Sequence, residues 1–129
     1  MKILVTVIFT AMLTGCATVE RWIPSFWDDN QSARITDLRI SIDRVDCAQP
    51  QLVQAQRVAE DLRWFEFYSQ SKGRLQKDVL RLIEPIQATA REWRDRAQKS
   101  EPSKGYCEIK KKILQQQSER AAAGVLGRW

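Results

Sequence analysis

The sequence predicts an all-α protein, a small up-down bundle of about four helices. Two observations predict the class. Apolar residues recur at three- and four-residue steps through four separate stretches, the spacing that lines one face of a helix. Glycine and proline are scarce, five and four in 129 residues, while Gln, Arg, Ala and Leu are frequent, a balance that favours helices over a many-turned β fold. A third observation gives the topology: the links between the stripes are short, and short links make sequential helices antiparallel neighbours.

The first helix follows Asp28, Asp29 and Asn30, whose side-chain oxygens and negative charge suit the unpaired amides of a first turn. Its stripe is Ile35, Leu38, Ile42 and Val45. The same three polar residues brush against a calcium-loop pattern, but the central glycine and the acidic twelfth position are missing, so capping is the expectation. The second helix starts after Pro50, a residue tolerated at a first helical turn. It carries Ala55, Val58, Leu62, Phe65 and Tyr68 inward, and Gly73 ends it as a C-cap glycine does. The third is the clearest: Leu75, Val79, Leu82, Ile83, Ile86, Ala90, Trp93 and Ala97 share one arc, with Pro85 on the polar side, where it is expected to bend the helix. "KSEPSKG" breaks the pattern. The fourth helix is expected to bury Tyr106, Ile109, Ile113, Gln117 and Ala121, with Lys110 to Lys112 around it and "GVLGRW" frayed at the end.

The amino terminus is of another kind. Met1-Lys2 precedes "ILVTVIFTAML", an apolar run shorter than the roughly 20 residues a membrane-spanning helix needs. A short basic start, such a run and small residues behind it describe a secretory signal peptide. The run ends in Leu13-Thr14-Gly15-Cys16, which resembles the lipobox of bacterial lipoproteins. That resemblance covers residues 1–16 and implies cleavage before Cys16 and a diacylglycerol on its thiol. It also implies a membrane-held protein on the periplasmic face, and Ala17, in place of the aspartate that retains such proteins at the inner membrane, points to the outer membrane. Two or more acyl chains anchor stably, at about 0.8 kcal/mol per buried CH₂. The domains are then a signal peptide over 1–15, a lipidated cysteine and tether over 16–30, and a bundle over 31–129. The tether, fully stretched, reaches roughly 45 Å. Its Trp22, Phe26 and Trp27 either sit at the headgroup level or pack on the domain's flank.

With Cys16 assigned to lipid, Cys47 and Cys107 remain as an even pair in an oxidising compartment. Their bridge closes a loop of about 60 residues, worth about 4 kcal/mol in chain entropy. In an up-down bundle the link after the first helix and the first turn of the fourth lie at the same end, so the pairing and the topology agree.

Catalysis finds little support. The chain has no histidine, which excludes Ser-His and Cys-His mechanisms and histidine metal sites. Carboxylates alone can hydrolyse glycans, but Glu60, Glu66, Glu84, Glu92 and Asp95 all fall on polar helix sides, where acids are solvated or paired. No enzyme, metal or cofactor is expected, and no nucleic-acid motif is present. The net charge of +5 favours anionic surfaces only mildly. The informative stretch is "RWFEFYS", residues 63–69. Its Trp64 and Phe67 lie off the core stripe with Arg57 and Glu60, so they are either a partner-binding surface or the second buried face of a central helix. Arg91, Arg94, Arg96 and Lys110 to Lys112 form a solvated basic surface or touch anionic lipid or lipopolysaccharide. The expected function is therefore that of a non-enzymatic, lipid-anchored envelope protein acting through protein or membrane-surface contacts. Size, lipobox and helical content also resemble small lipoproteins of tailed bacteriophages. That resemblance implies an outer-membrane spanin subunit in host lysis or a superinfection-exclusion lipoprotein, although the four prolines here depart from the proline-rich regions of many spanins.

Overall fold

The computed structural model describes residues 27–73 and 76–127. They form four α-helices, α1 Asp29–Asp43, α2 Gln51–Ser71, α3 Lys77–Lys99 and α4 Lys104–Leu126, and no strand occurs among the described residues. Each helix packs on its neighbours in sequence, and α4 closes the ring by packing on α1. The architecture is the small all-α bundle that the apolar periodicity implies. Cys16, Trp22, Phe26 and Leu75 lie outside the described residues.

The helix ends follow from local chemistry. Asp28 caps α1, its Oδ1 accepting from the Gln31 amide at 2.9 Å. The helix therefore begins at Asp29, inside the stretch assigned to the tether rather than at residue 31. Pro50 precedes α2, and Gly73 just beyond it has φ +88°, a left-handed backbone that glycine adopts without steric cost. Ser103 caps α4 by accepting from the Tyr106 amide at 3.2 Å. Pro85 lies inside α3 on the exposed side, as its place in the pattern requires.

The core joins Ile35, Leu38 and Ile42 of α1 to Ala55, Val58, Leu62 and Phe65 of α2 and to Val79, Ile83, Ile86, Ala90 and Trp93 of α3. Each large side chain fully buried here contributes roughly 1.5–3 kcal/mol of transfer free energy. On α2 the last inward position belongs to Ser69 rather than Tyr68, which is half-buried with its hydroxyl beside the Asp28 carboxylate.

The fourth helix departs most from expectation. Its buried face is Cys107, Lys110, Leu114, Ser118, Ala121, Ala122 and Val125, whereas Ile109 is 61% exposed and Tyr106, Ile113 and Gln117 are only half-buried. The stripe is thus rotated by about one residue. Lys110 makes this possible: its methylene stem lies in the interior while Nζ reaches Glu92 at 2.7 Å. The carboxy-terminal turn is not frayed as far as Leu126, since Val125 is fully buried.

Polar side chains close both ends of the bundle. At one end Gln31, fully buried, donates from Nε2 to Ser69 Oγ at 2.9 Å and to Gln76 Oε1 at 3.0 Å. At the other, Gln51 donates to the Pro102 carbonyl at 2.8 Å and accepts from the Trp93 indole N–H at 3.0 Å. A Cys47–Cys107 disulfide, Cα–Cα 5.6 Å, clamps this second end to the first turn of α4. The Lys111 ammonium reinforces it by donating to the Val45 carbonyl at 2.8 Å.

Candidate functional site

Two surface features stand out, and both involve α2. The first joins the start of α1 to the last two turns of α2. Tyr68 OH lies 3.2 Å from both Asp28 carboxylate oxygens and accepts from Asn30 Nδ2 at 2.8 Å. The Tyr68 ring stacks on Trp64, centroids 5.0 Å apart and planes within 8°. Arg34 covers the Trp64 ring at 4.4 Å, and Lys72 Nζ lies 5.0 Å from the Tyr68 ring and 3.5 Å from Asp28. The sequence Arg-Trp-Tyr-Lys in space is a ladder of cations and rings, in which the Arg34–Trp64 contact is worth about 0.5–1 kcal/mol at such exposure.

The contacts around Tyr68 favour the charged forms of Asp28 and Lys72. Partial burial works to raise the Asp28 pKa, but the Gln31 amide, the Tyr68 hydroxyl and the Lys72 charge together outweigh it, so the carboxyl titrates below the ordinary aspartate range. Lys72 is held above its ordinary value, first by the Tyr68 oxygen and then by Asp28.

The second feature is the outer crest of α2 and the groove beside it. Trp64 is 40% exposed and Phe67 53%. These aromatics are not the second buried face of a central helix, because α1 and α3 flank α2 and leave its outward side to solvent. Arg63 sits over the Phe67 ring at 5.1 Å and also borders a groove of about 230 Å³ between α2 and α3. Ala59 and Leu62 floor this groove, and Arg91 and Arg94 form its far wall. Glu66 closes one end, its oxygens taken by the amides of Gln70 at 3.2 Å and Gln87 at 2.8 Å.

The carboxylates that could have carried hydrolysis are not brought together. Glu92 pairs with Lys110, Asp95 with Arg94 at 2.8 Å, and Glu66 is bound as above, while Glu60 and Glu84 are exposed. Among the described residues no group of three or more acidic, cysteine or histidine side chains could hold a metal ion. Asp28 serves as a helix cap, and Trp27, 44% exposed, donates its indole N–H to Asp29 at 2.6 Å. Arg96 is exposed on α3, as are Lys112 on α4 and the crest residues Arg57 and Glu60 on α2.

Sequence reasoning singled out Trp64 and Phe67 but missed Arg34, Lys72 and the floor at Ala59. Arg34 and Trp64 belong to different helices, so nothing in their spacing announces the contact. No family model matches this chain, and no curated protein or solved structure is significantly similar to it. Among the described residues no helix is long and apolar enough to cross a membrane.

Proposed function

We propose that this chain is an envelope lipoprotein, anchored through acyl chains on Cys16 at the periplasmic face of the outer membrane, that works by surface contacts rather than by turnover. The observation that carries the reading is Leu13-Thr14-Gly15-Cys16 directly behind a short apolar run. Two further features support it. Cys47 and Cys107 are spent on each other, so Cys16 is the cysteine left over for modification. Among the described residues the surface offers exposed aromatics beside arginines, the side-chain types that dominate recognition surfaces. The described chain begins at Trp27, so the segment from Cys16 reaches at most about 35 Å and keeps the bundle beside its bilayer.

Expression of the wild-type chain and of Cys16→Ser in a bacterium fed radiolabelled palmitate tests the proposal. The wild type takes up label and stays with the membrane through a high-salt wash, whereas the variant is unlabelled and washes off. A wild type that carries no label refutes it.

A further inference from the structure

We infer that the crest of α2 is a lipid-contact surface and that the α2–α3 groove receives the phosphate headgroup of an anionic phospholipid; the inference rests on the anchored reading above. Trp64 and Phe67 project from the crest, 40% and 53% exposed, within the last two to three turns of α2. That end of α2 meets the start of α1 through Tyr68 and Asp28, so the chain coming from Cys16 arrives beside the same crest. Amphipathic rings placed next to arginines suit the headgroup layer, where one edge is apolar and the other wet.

The groove supplies the charge complementarity. Ala59 contributes only a methyl group to its floor, and that small side chain leaves the hollow open, with Leu62 as the apolar remainder. Three guanidinium groups, Arg63, Arg91 and Arg94, border it. Neither Arg63 nor Arg91 has an ion-pair partner among the described residues, and Arg94 uses one edge on Asp95 while keeping the rest of its fork. The acid in the groove, Glu66, is already satisfied by two amides rather than by these arginines. Guanidinium groups bind phosphate oxygens through paired N–H donors, so an oxyanion is the missing partner of this arrangement. Arg63 couples the two parts, since it lies over Phe67 and lines the groove together. A phosphate seated there brings Phe67 and Trp64 against the acyl boundary of the same leaflet.

The experiment uses the full chain reconstituted in vesicles of phosphatidylcholine and brominated phosphatidylglycerol, with Trp22, Trp27 and Trp129 replaced by Phe. Emission then reports Trp64 and Trp93, and a further Trp64→Phe variant isolates the signal of the buried Trp93. Bromine quenching of Trp64 well above that background is expected. Loss of the quenching to background is expected on combining Arg63→Gln, Arg91→Gln and Arg94→Gln, and again on Ala59→Met, which fills the floor without touching charge. Near-ultraviolet circular dichroism of Trp93 certifies the fold of each variant. Quenching in the parent no greater than in the Trp64→Phe variant overturns lipid as the occupant and leaves the crest to a protein surface. Quenching that survives both the arginine and the Ala59 variants overturns the groove. Intact mass on the same preparation reads the acyl state of Cys16. An acylated chain without quenching refutes this contact alone, and a quenched chain without acylation refutes the anchor alone.

Discussion

Replacing Gln51 with leucine is the sharpest probe of how the disulfide end is held. Gln51 is 1% exposed, and its side chain bridges three segments, donating to the Pro102 carbonyl and accepting from the Trp93 indole. Leucine is close in size, so the change removes three hydrogen bonds, those to the Pro102 and Ser103 carbonyls and that from Trp93, and leaves little cavity; the Ser103 carbonyl keeps the Cys107 amide. What remains is a buried indole N–H without an acceptor and a buried carbonyl without its donor. Each stranded group costs about 1–3 kcal/mol. The leucine regains part of this through apolar burial, so a net loss of about 3 kcal/mol is expected. For a domain of this size that lowers the melting temperature by roughly 12–24 °C. The backbone N–H of Gln51, which donates to Glu101 Oε1 at 3.0 Å, is untouched. Gln54→Leu one turn along is the control: its amide bonds to Asp46 and Pro50 are exposed, water replaces them, and the change stays within about 0.5 kcal/mol. Urea unfolding followed by circular dichroism measures both. Equal midpoints for the two variants refute the assignment of Gln51 as a structural hub.

Other predictions follow from the same geometry. Reducing Cys47–Cys107, or replacing both with alanine, costs about 4 kcal/mol through the 60-residue loop it closes, and an unchanged melting curve contradicts that. Asp28→Asn keeps the cap acceptor but loses the charge. Because the folded-state pKa is depressed, the stability this carboxylate adds is full above the ordinary value of 3.8 and is lost as pH falls through the lower folded value. The gap between wild type and variant should therefore be widest near neutrality and close in acid; a gap that widens in acid is the wrong sign. Gly105→Ala in the first turn of α4 meets nothing within 4 Å and should stabilise by about 0.5–1 kcal/mol. Gly73→Ala, at φ +88°, should destabilise by about 1 kcal/mol, and chemical denaturation separates the two signs.

Much of the fold was legible because three helices bury their apolar residues in register. Ile35, Leu38 and Ile42, Val58, Leu62 and Phe65, and Ile83, Ile86, Ala90 and Trp93 are inside where the period places them. The fourth helix was not legible in detail. Its inward face includes Lys110 and Ser118, while Ile109 faces out, so residue type pulls the stripe about one position off. Gln31 and Gln51 were invisible for a related reason. A glutamine reads as surface until its partners are known, and those partners lie 38 to 52 residues away. The disulfide could be inferred because cysteine pairing and helix direction are two separate constraints meeting at one end. The candidate site was half legible. Trp64 and Phe67 break the polar side of α2 visibly, but Arg34, Lys72 and the hollow over Ala59 exist only once the helices are placed side by side.

The most direct test of the central claim is the mass of the mature amino-terminal peptide purified from membranes. The expected peptide begins at Cys16 and bears a diacylglyceryl thioether, with or without an added amide-linked acyl chain. A peptide that still begins at Met1, or one that begins elsewhere with the Cys16 thiol unmodified, contradicts it.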